Sequence, residues 1–187
     1  MKRIGITGSL ASGKSTATKI LGKKGPVFNA DNIVKKLYLQ TKIRKYISKK
    51  LKIQNSSNLK NLIKKKILKD KSFFKKIEKI IHPLVRKEMM NFAKKHKNKK
   101  FIFFEIPLLV ESRLMKNFDI IIFIKAKRDL RFKRFKKKGG DKNFFNILNS
   151  KQLNDKKKAK YCDYVIVNET NINILKKNLF DILKKYE

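Results

Sequence analysis

Gly8-Ser9-Leu10-Ala11-Ser12-Gly13-Lys14-Ser15 decides the fold of this chain. The octet has glycine at its first and sixth positions and closes on Lys-Ser, the pattern of a loop whose backbone N–H groups cradle phosphates. Its neighbours suit that reading. Arg3-Ile4-Gly5-Ile6-Thr7 before it is short and β-compatible, and Thr16-Ala17-Thr18-Lys19-Ile20-Leu21 after it is helix-compatible. A strand, loop and helix in this order aim the positive helix end and successive amides at a polyphosphate. Lys14 then reaches the β- and γ-phosphates, and the Ser15 hydroxyl ligates Mg²⁺. A glycine turn preceding a lysine by chance is the competing reading, and the flanking strand and helix weigh against it.

Outward from the loop, Gly22 and Gly25-Pro26 end the helix, and Val27-Phe28 makes a second strand ending at Asn29-Ala30-Asp31. From there to Asn98 no strand pattern occurs. Ile33, Val34, Leu37 and Tyr38, then Leu59, Leu62, Ile63 and Ile67, then Phe73 through Phe92 recur at helical spacing. This predicts a helical insertion over 32–98 of roughly 65 residues, with a polar loop at 54–58. Phe101-Ile102-Phe103-Phe104-Glu105-Ile106 is a continuous apolar run, as expected of a strand buried on both faces, and Asp119 to Ile124 repeats its character. A basic helix over 128–138 breaks at Gly139-Gly140, and one further helix is expected over about 143–160. Tyr164-Val165-Ile166-Val167 is a last strand before a terminal helix with Leu175, Leu179, Ile182 and Leu183 on one face. Alternating strands and helices predict an α/β fold with a doubly wound parallel sheet.

Composition narrows the class. The 187 residues include 51 Lys and Arg against 14 Asp and Glu, a net charge of +37, with 41% hydrophobic residues and 14 Phe, enough for a core. Only seven of the basic residues are arginine (Arg3, Arg44, Arg86, Arg113, Arg128, Arg131 and Arg134), and the lysine excess runs nearly the whole chain beside Asn, Ile and Phe. That pattern reads mainly as compositional drift on a solvated surface, with selected polyanion binding as the alternative. The charge still predicts nonspecific, salt-sensitive binding of polyanions. Cys162 is the only cysteine, which excludes an internal disulfide and a multi-cysteine metal cluster and favours a reducing compartment. No apolar run approaches the roughly 20 residues of a membrane span, and glycines interrupt the basic start before a leader's apolar region develops. A cytoplasmic protein is the expectation.

Several side chains are candidates for chemistry. Asp31, at the carboxyl end of the second strand, is placed to accept the proton of an acceptor hydroxyl or to N-cap the helix beginning at Asn32. His82-Pro83 lies inside the strongest helical periodicity, where the proline removes a backbone donor and disfavours helical geometry at His82. Glu105 and Glu111, in apolar surroundings, must be paired, hydrogen-bonded or near Mg²⁺ or substrate. His96, among lysines, reads as a surface residue, and Cys162 as a packing residue.

These residues together resemble the dephospho-CoA kinase family over nearly the whole chain. Ile4 through Thr16 looks like its opening loop, Asn29-Ala30-Asp31 like its Asp-Ala-Asp motif, and Ile80-Ile81-His82-Pro83-Leu84-Val85 like its His-Pro signature. Ile106-Pro107-Leu108-Leu109-Val110-Glu111 is similar to its Pro-Leu-Leu-x-Glu segment, and Lys133-Arg134, Gln152 and Tyr164 to Asn168 to its lid and final strand. The resemblance implies one P-loop kinase domain over 1–187, with a five-stranded parallel sheet, a CoA-binding insertion over 32–98 and a lid over about 134–152. It implies transfer of phosphoryl from ATP, with Mg²⁺, to the ribose 3'-hydroxyl of 3'-dephospho-CoA. Lys14, Asp31 and Arg134 then take catalytic positions. Gly8, Ala11, Ser12, Gly13, Lys14, Ser15, Thr16, Lys138 and Asn168 fall at the nucleotide, Thr7, Asp31, His82, Leu109 and Glu111 at the acceptor, and Ser15 at the metal.

Three departures stand out. Asn29 replaces the family's usual first aspartate, Lys138 stands where a lid arginine is usual, and the lid is about one residue shorter near Gly139-Gly140. A kinase for another small acceptor, such as a nucleoside monophosphate, is the rival enzyme, and the long insertion disfavours it. An RNA-binding protein with a vestigial loop is the rival from another class, and the chain has no RNP-like aromatic strand or arginine-rich tract.

Overall fold

The computed structural model describes residues 1–70 and 72–187, and all side chains within them except that of Leu68. Five strands form a parallel sheet in the order β2-β3-β1-β4-β5, with β1 at Lys2–Gly8, β2 at Val27–Asn29, β3 at Phe101–Glu105, β4 at Ile120–Lys125 and β5 at Tyr164–Val167. All five residues of β3 and the first five of β4 are buried, which explains their unbroken apolar character. β1 lies between them, with Ile4 opposite both Phe103 and Ile120. The chain therefore leaves β1 toward one edge and later returns to its other side. That reversal is the switch point at which open α/β sheets gather ligands, and the 8–15 loop leaves from it.

The chain divides into two compact units, residues 29–95 and the remainder. In the larger unit, α1 (Lys14–Leu21) and α9 (Ile172–Lys184) cover one sheet face. Ile4, Ile6, Phe103, Ile122, Ile124 and Ile166 pack there with Ala17, Ile20 and Leu21, and with the Leu175, Leu179, Ile182 and Leu183 stripe expected of the terminal helix. Each Ile, Leu or Phe buried there contributes about 1.5–3 kcal/mol. The other elements of this unit are α6 (Arg128–Lys136), α7 (Lys142–Ser150) and α8 (Asp155–Ala159).

The helix expected over 143–160 is thus two. The Asn154 side chain accepts from Lys157 N at 2.8 Å and starts α8 afresh, leaving 151–154 outside either helix. α7 is started the same way by Asp141, which accepts from Phe144 N at 2.7 Å.

The smaller unit holds α2 (Ala30–Leu39), α3 (Thr41–Leu51), α4 (Leu59–Lys69) and α5 (Ser72–Lys95). Ile47, Leu59, Ile63, Phe73, Ile77 and Ile81 form its core, with Val34, Tyr38, Ile43 and Leu51 packed around them. α3, whose apolar positions stand among lysines, contributes Ile43, Ile47 and Leu51 that the sequence reading passed over. α5 continues through Pro83, although the proline disfavours helical geometry at His82. The proline forfeits one helical hydrogen bond, while buried Phe73, Ile77 and Ile81 before it and Met89 and Ala93 after it keep the helix seated. No helix among the described residues is long and apolar enough to cross a membrane.

Candidate active site

The loop owes its shape to two positions that favour glycine and one that strains alanine. Gly8 and Gly13 have φ of +155° and +104°, and a Cβ at Gly13 would collide with the side-chain amide of Asn168. Ala11, at φ +58°, takes the left-handed conformation without that freedom. α1 starts directly after Gly13, and the first N–H groups of any helix lack helical acceptors, so this end of α1 is suited to an anion.

An anion-binding loop must also turn its carbonyls away and give them donors. Lys14, buried at 7% exposure, donates from Nζ to Gly8 O at 3.0 Å and to Ser9 O at 2.9 Å. Ser12 O accepts from Asn168 Nδ2 at 2.9 Å and from Arg134 Nη1 at 3.3 Å, and Arg134 Nη2 donates to Asn168 O at 3.1 Å. Lys14, Arg134 and Asn168 therefore all converge on the loop. Ser12 Oγ is buried with no hydrogen-bond partner among the described residues.

Ser15 leads to Glu105. Its hydroxyl donates to Glu105 Oε1 at 2.6 Å, and Thr18 Oγ1 donates to Glu105 Oε2 at 2.8 Å. Glu105 is 2% exposed at the end of β3, beside Ile6 of the central strand. Serine hydroxyl and carboxylate form an oxygen-only set suited to a hard divalent cation. Thr16, in the first turn of α1, is exposed.

The segment after β3 is a packed support. Thr7 Oγ1 donates to Pro107 O at 3.1 Å, and Leu109 is fully buried against Gly5. Glu111 accepts at Oε1 from Leu153 N at 3.0 Å and pairs with Lys158 Nζ at 2.8 Å, while Lys158, wholly buried, also donates to Pro107 O at 3.1 Å. Lysine pairing thus accounts for Oε1 of Glu111, and its Oε2 is buried without a hydrogen-bond partner among the described residues.

In the smaller unit the Asn29 side chain accepts from Asn32 N at 2.8 Å and caps α2, which begins at Ala30. Asp31 is accordingly not the cap. It lies exposed in the first turn of α2. His82 sits mid-α5 with Glu78 Oε1 3.9 Å from its Nε2. Burial first, then the neighbouring Arg86 charge, hold the imidazole below its ordinary pKa. Lys138 is exposed beyond the end of α6, with no side-chain bond to the loop among the described residues.

Two groups at the loop escaped the sequence reading. Arg131, 6% exposed, donates to Ala126 O at 3.1 Å, to Asn149 Oδ1 at 2.8 Å and, at a longer 3.4 Å, to Leu10 O. Asp155 accepts from the Ser9 hydroxyl. The available signal was arginine in a chain whose default cation is lysine, since Arg131 and Arg134 stand one helical turn apart. Asp155 carried none, because its partner lies 146 residues away. Cys162 donates to Lys158 O at 3.3 Å, and burial pushes its thiol up to about 12, which fits a packing role.

The family model for dephospho-CoA kinase matches residues 2–173. A dephospho-CoA kinase of Rickettsia typhi is 34% identical over 193 residues, covering 100% of this chain and 98% of its own length. Another from Rickettsia bellii is 31% identical over 192 residues, with the same shares of 100% and 98%. Among solved structures, TT1252 from Thermus thermophilus matches with a TM-score of 0.78 at 24% identity, over 98% of this chain and 97% of that one. Dephospho-CoA kinase from Campylobacter jejuni matches with a TM-score of 0.67 at 23% identity, over 98% and 96%. At these identities the structural likenesses speak for the fold.

Proposed function

The chain belongs to the dephospho-CoA kinase family, and from that premise we propose how its residues share the work of moving the γ-phosphoryl group of ATP to the ribose 3'-hydroxyl of 3'-dephospho-CoA, giving ADP and CoA. The observation that carries the assignment is the 8–15 loop, with Lys14 buried beneath it and its carbonyls engaged by Lys14, Arg134 and Asn168. Lys14 exchanges Gly8 O and Ser9 O for β- and γ-phosphate oxygens, and amides from Ala11 to Thr16 surround them. Arg134, already at the loop, stabilises negative charge on the transferring group. Asn168 lines the nucleotide side, and Lys138 adds positive charge in a lid over about 134–152.

The acceptor oxygen attacks the γ-phosphorus, the bond from that phosphorus to the β,γ-bridging oxygen breaks, and Asp31 takes the hydroxyl proton. An exposed carboxylate not committed to capping α2 supports this role. We assign the insertion over 32–98 to the long acceptor, with His82 on it, and Thr7, Leu109 and Glu111 as the packed support of the acceptor side. Ser15, oriented by Glu105, would hold Mg²⁺, and the oxygen-only pair fits that ion. Bound there, Mg²⁺ would neutralise charge on the β- and γ-phosphates. A cytoplasmic setting suits an ATP-using enzyme with a single, half-buried thiol.

The test is ADP release with ATP and Mg²⁺, with and without 3'-dephospho-CoA, using nucleoside monophosphates as control acceptors. Moderate salt and nuclease treatment suppress polyanion carry-over. Turnover that needs dephospho-CoA and disappears in Lys14→Ala is expected. Stimulation by a nucleoside monophosphate instead would overturn the acceptor assignment.

A further inference from the structure

Residues 152–158 touch two neighbouring parts of the larger unit. Toward the loop, Gln152 Oε1 accepts from Leu10 N at 2.9 Å and Asp155 accepts from the Ser9 hydroxyl. Toward the segment after β3, Leu153 N and Lys158 Nζ both reach Glu111, and Lys158 also reaches Pro107 O. The stretch is therefore a strap, anchored at 107–111 and clipped to residues 9–10.

Those clips lie where the loop needs outside help. Ala11 is held in a left-handed conformation that residues other than glycine avoid, so its two neighbours must be fixed by something else. Ser12 O is fixed by Asn168 and Arg134. Leu10 is fixed at its N–H by Gln152 and approached at its carbonyl by Arg131. Asp155 is available for Ser9 because its neighbour Asn154 caps α8. When Lys14 turns from Gly8 O and Ser9 O to a phosphate, Ser9 O keeps the Ser12 N–H at 3.1 Å, and these side-chain clips hold the Ser9 hydroxyl and Leu10.

We propose that Gln152 and Asp155 are positioning residues for phosphoryl transfer, holding Ser9 and Leu10 so that the loop is set for phosphate before nucleotide arrives. The proposal rests on the reading of the 8–15 loop as the ATP phosphate site. The test compares wild type, Asp155→Ala, Asp155→Asn, Gln152→Met and Gln152→Glu. ADP binding with Mg²⁺ is measured by calorimetry and the two KM values by steady-state kinetics. Asp155→Ala and Gln152→Met are expected to raise the Kd for ADP and the KM for ATP about 5- to 20-fold, the size of a lost hydrogen bond in a packed site, with KM for dephospho-CoA within about twofold. Asp155→Asn and Gln152→Glu keep an acceptor oxygen and should return to within about threefold of wild type.

A lowered melting temperature with unchanged ADP affinity and KM for ATP would overturn the proposal, as would Asp155→Asn behaving like Asp155→Ala. If Asp155→Ala does not fold, Gln152→Met, which matches the lost volume, decides. Lys14→Ala separates the two levels. Wild-type ADP binding that Lys14→Ala leaves intact defeats the loop reading itself, whereas binding weakened by Lys14→Ala but by none of the strap variants defeats the strap alone.

Discussion

The two units of this chain hold their proposed functional groups in different ways. Around the 8–15 loop, Lys14, Arg134, Asn168, Gln152 and Asp155 are tied by hydrogen bonds to named backbone or side-chain atoms, several across more than 100 residues of sequence. In residues 29–95 the framework is an apolar core of Ile47, Leu59, Ile63, Phe73, Ile77 and Ile81, and the helices display Asp31 and His82 by register. A phosphate cradle needs several groups at once in one geometry. A proton acceptor needs only a carboxylate presented at the correct helix position.

The strongest challenge to this contrast is Lys14→Ala. It removes the charge that follows the phosphoryl group and leaves Gly8 O and Ser9 O short of a donor. Turnover should fall by about 10³-fold or more, read as kcat/KM with saturating dephospho-CoA. Activity within tenfold of wild type would remove the loop from the mechanism.

Asp31→Asn probes the other unit and should leave its framework alone. We expect kcat to drop about 10²- to 10⁴-fold, with ADP affinity unchanged and stability lowered by no more than about 1 kcal/mol, because Asn29 carries the cap and only the carboxylate's charge leaves the first turn of α2. Asn29→Ala should do the reverse, costing about 1 kcal/mol of stability with a modest effect on kcat. If Asp31→Asn lowers the melting temperature and spares kcat, the roles of the two residues are exchanged.

His82 gives a smaller, pH-dependent effect. Its folded-state pKa is depressed, so the unfolded chain takes up the proton first on acidification. Stability from keeping the imidazole neutral is therefore present above the ordinary value of about 6.5 and is lost as pH falls through it. Chemical denaturation of wild type and His82→Gln between about pH 5 and 8 should show a shallower acid decline in the variant. Parallel curves would mean that the histidine titrates as it does in the unfolded chain.

The contrast also explains what was legible in the sequence. Local patterns carried β1, the loop and α1, the buried runs of β3 and β4, and the stripe of α9, because strand burial and helix periodicity repeat over a few residues. The break between α7 and α8 was hidden, since Asn154 resembles other polar residues until its side chain is seen on Lys157 N. Pro83 left the conformation at His82 open, because packing decides whether one lost hydrogen bond outweighs the apolar face that seats α5. At the site, Lys14 and Ser15 were readable from spacing, and Arg134 from the resemblance. Asp155 and the clip on Ser9 were not, because only the folded sheet brings together residues that far apart.

The smallest effect concerns Asn29, where the chain departs from the family's usual aspartate. Asparagine and aspartate cap helices about equally well, so Asn29→Asp should retain the bond to Asn32 N and change stability by no more than a few tenths of a kcal/mol. The added charge lies at the positive end of α2 in a chain of net charge +37, so any stability change should be favourable. If a carboxylate at this position also helps hold Mg²⁺ through water, the Mg²⁺ concentration for half-maximal turnover should fall in the variant. We expect that shift, and a Mg²⁺ titration that superposes on wild type would make position 29 a cap and nothing more. The same result would carry the contrast between the units down to one residue, with the proposed Mg²⁺ group confined to Ser15 and the Glu105 that orients it in the larger unit, and position 29 serving only the helix that displays Asp31.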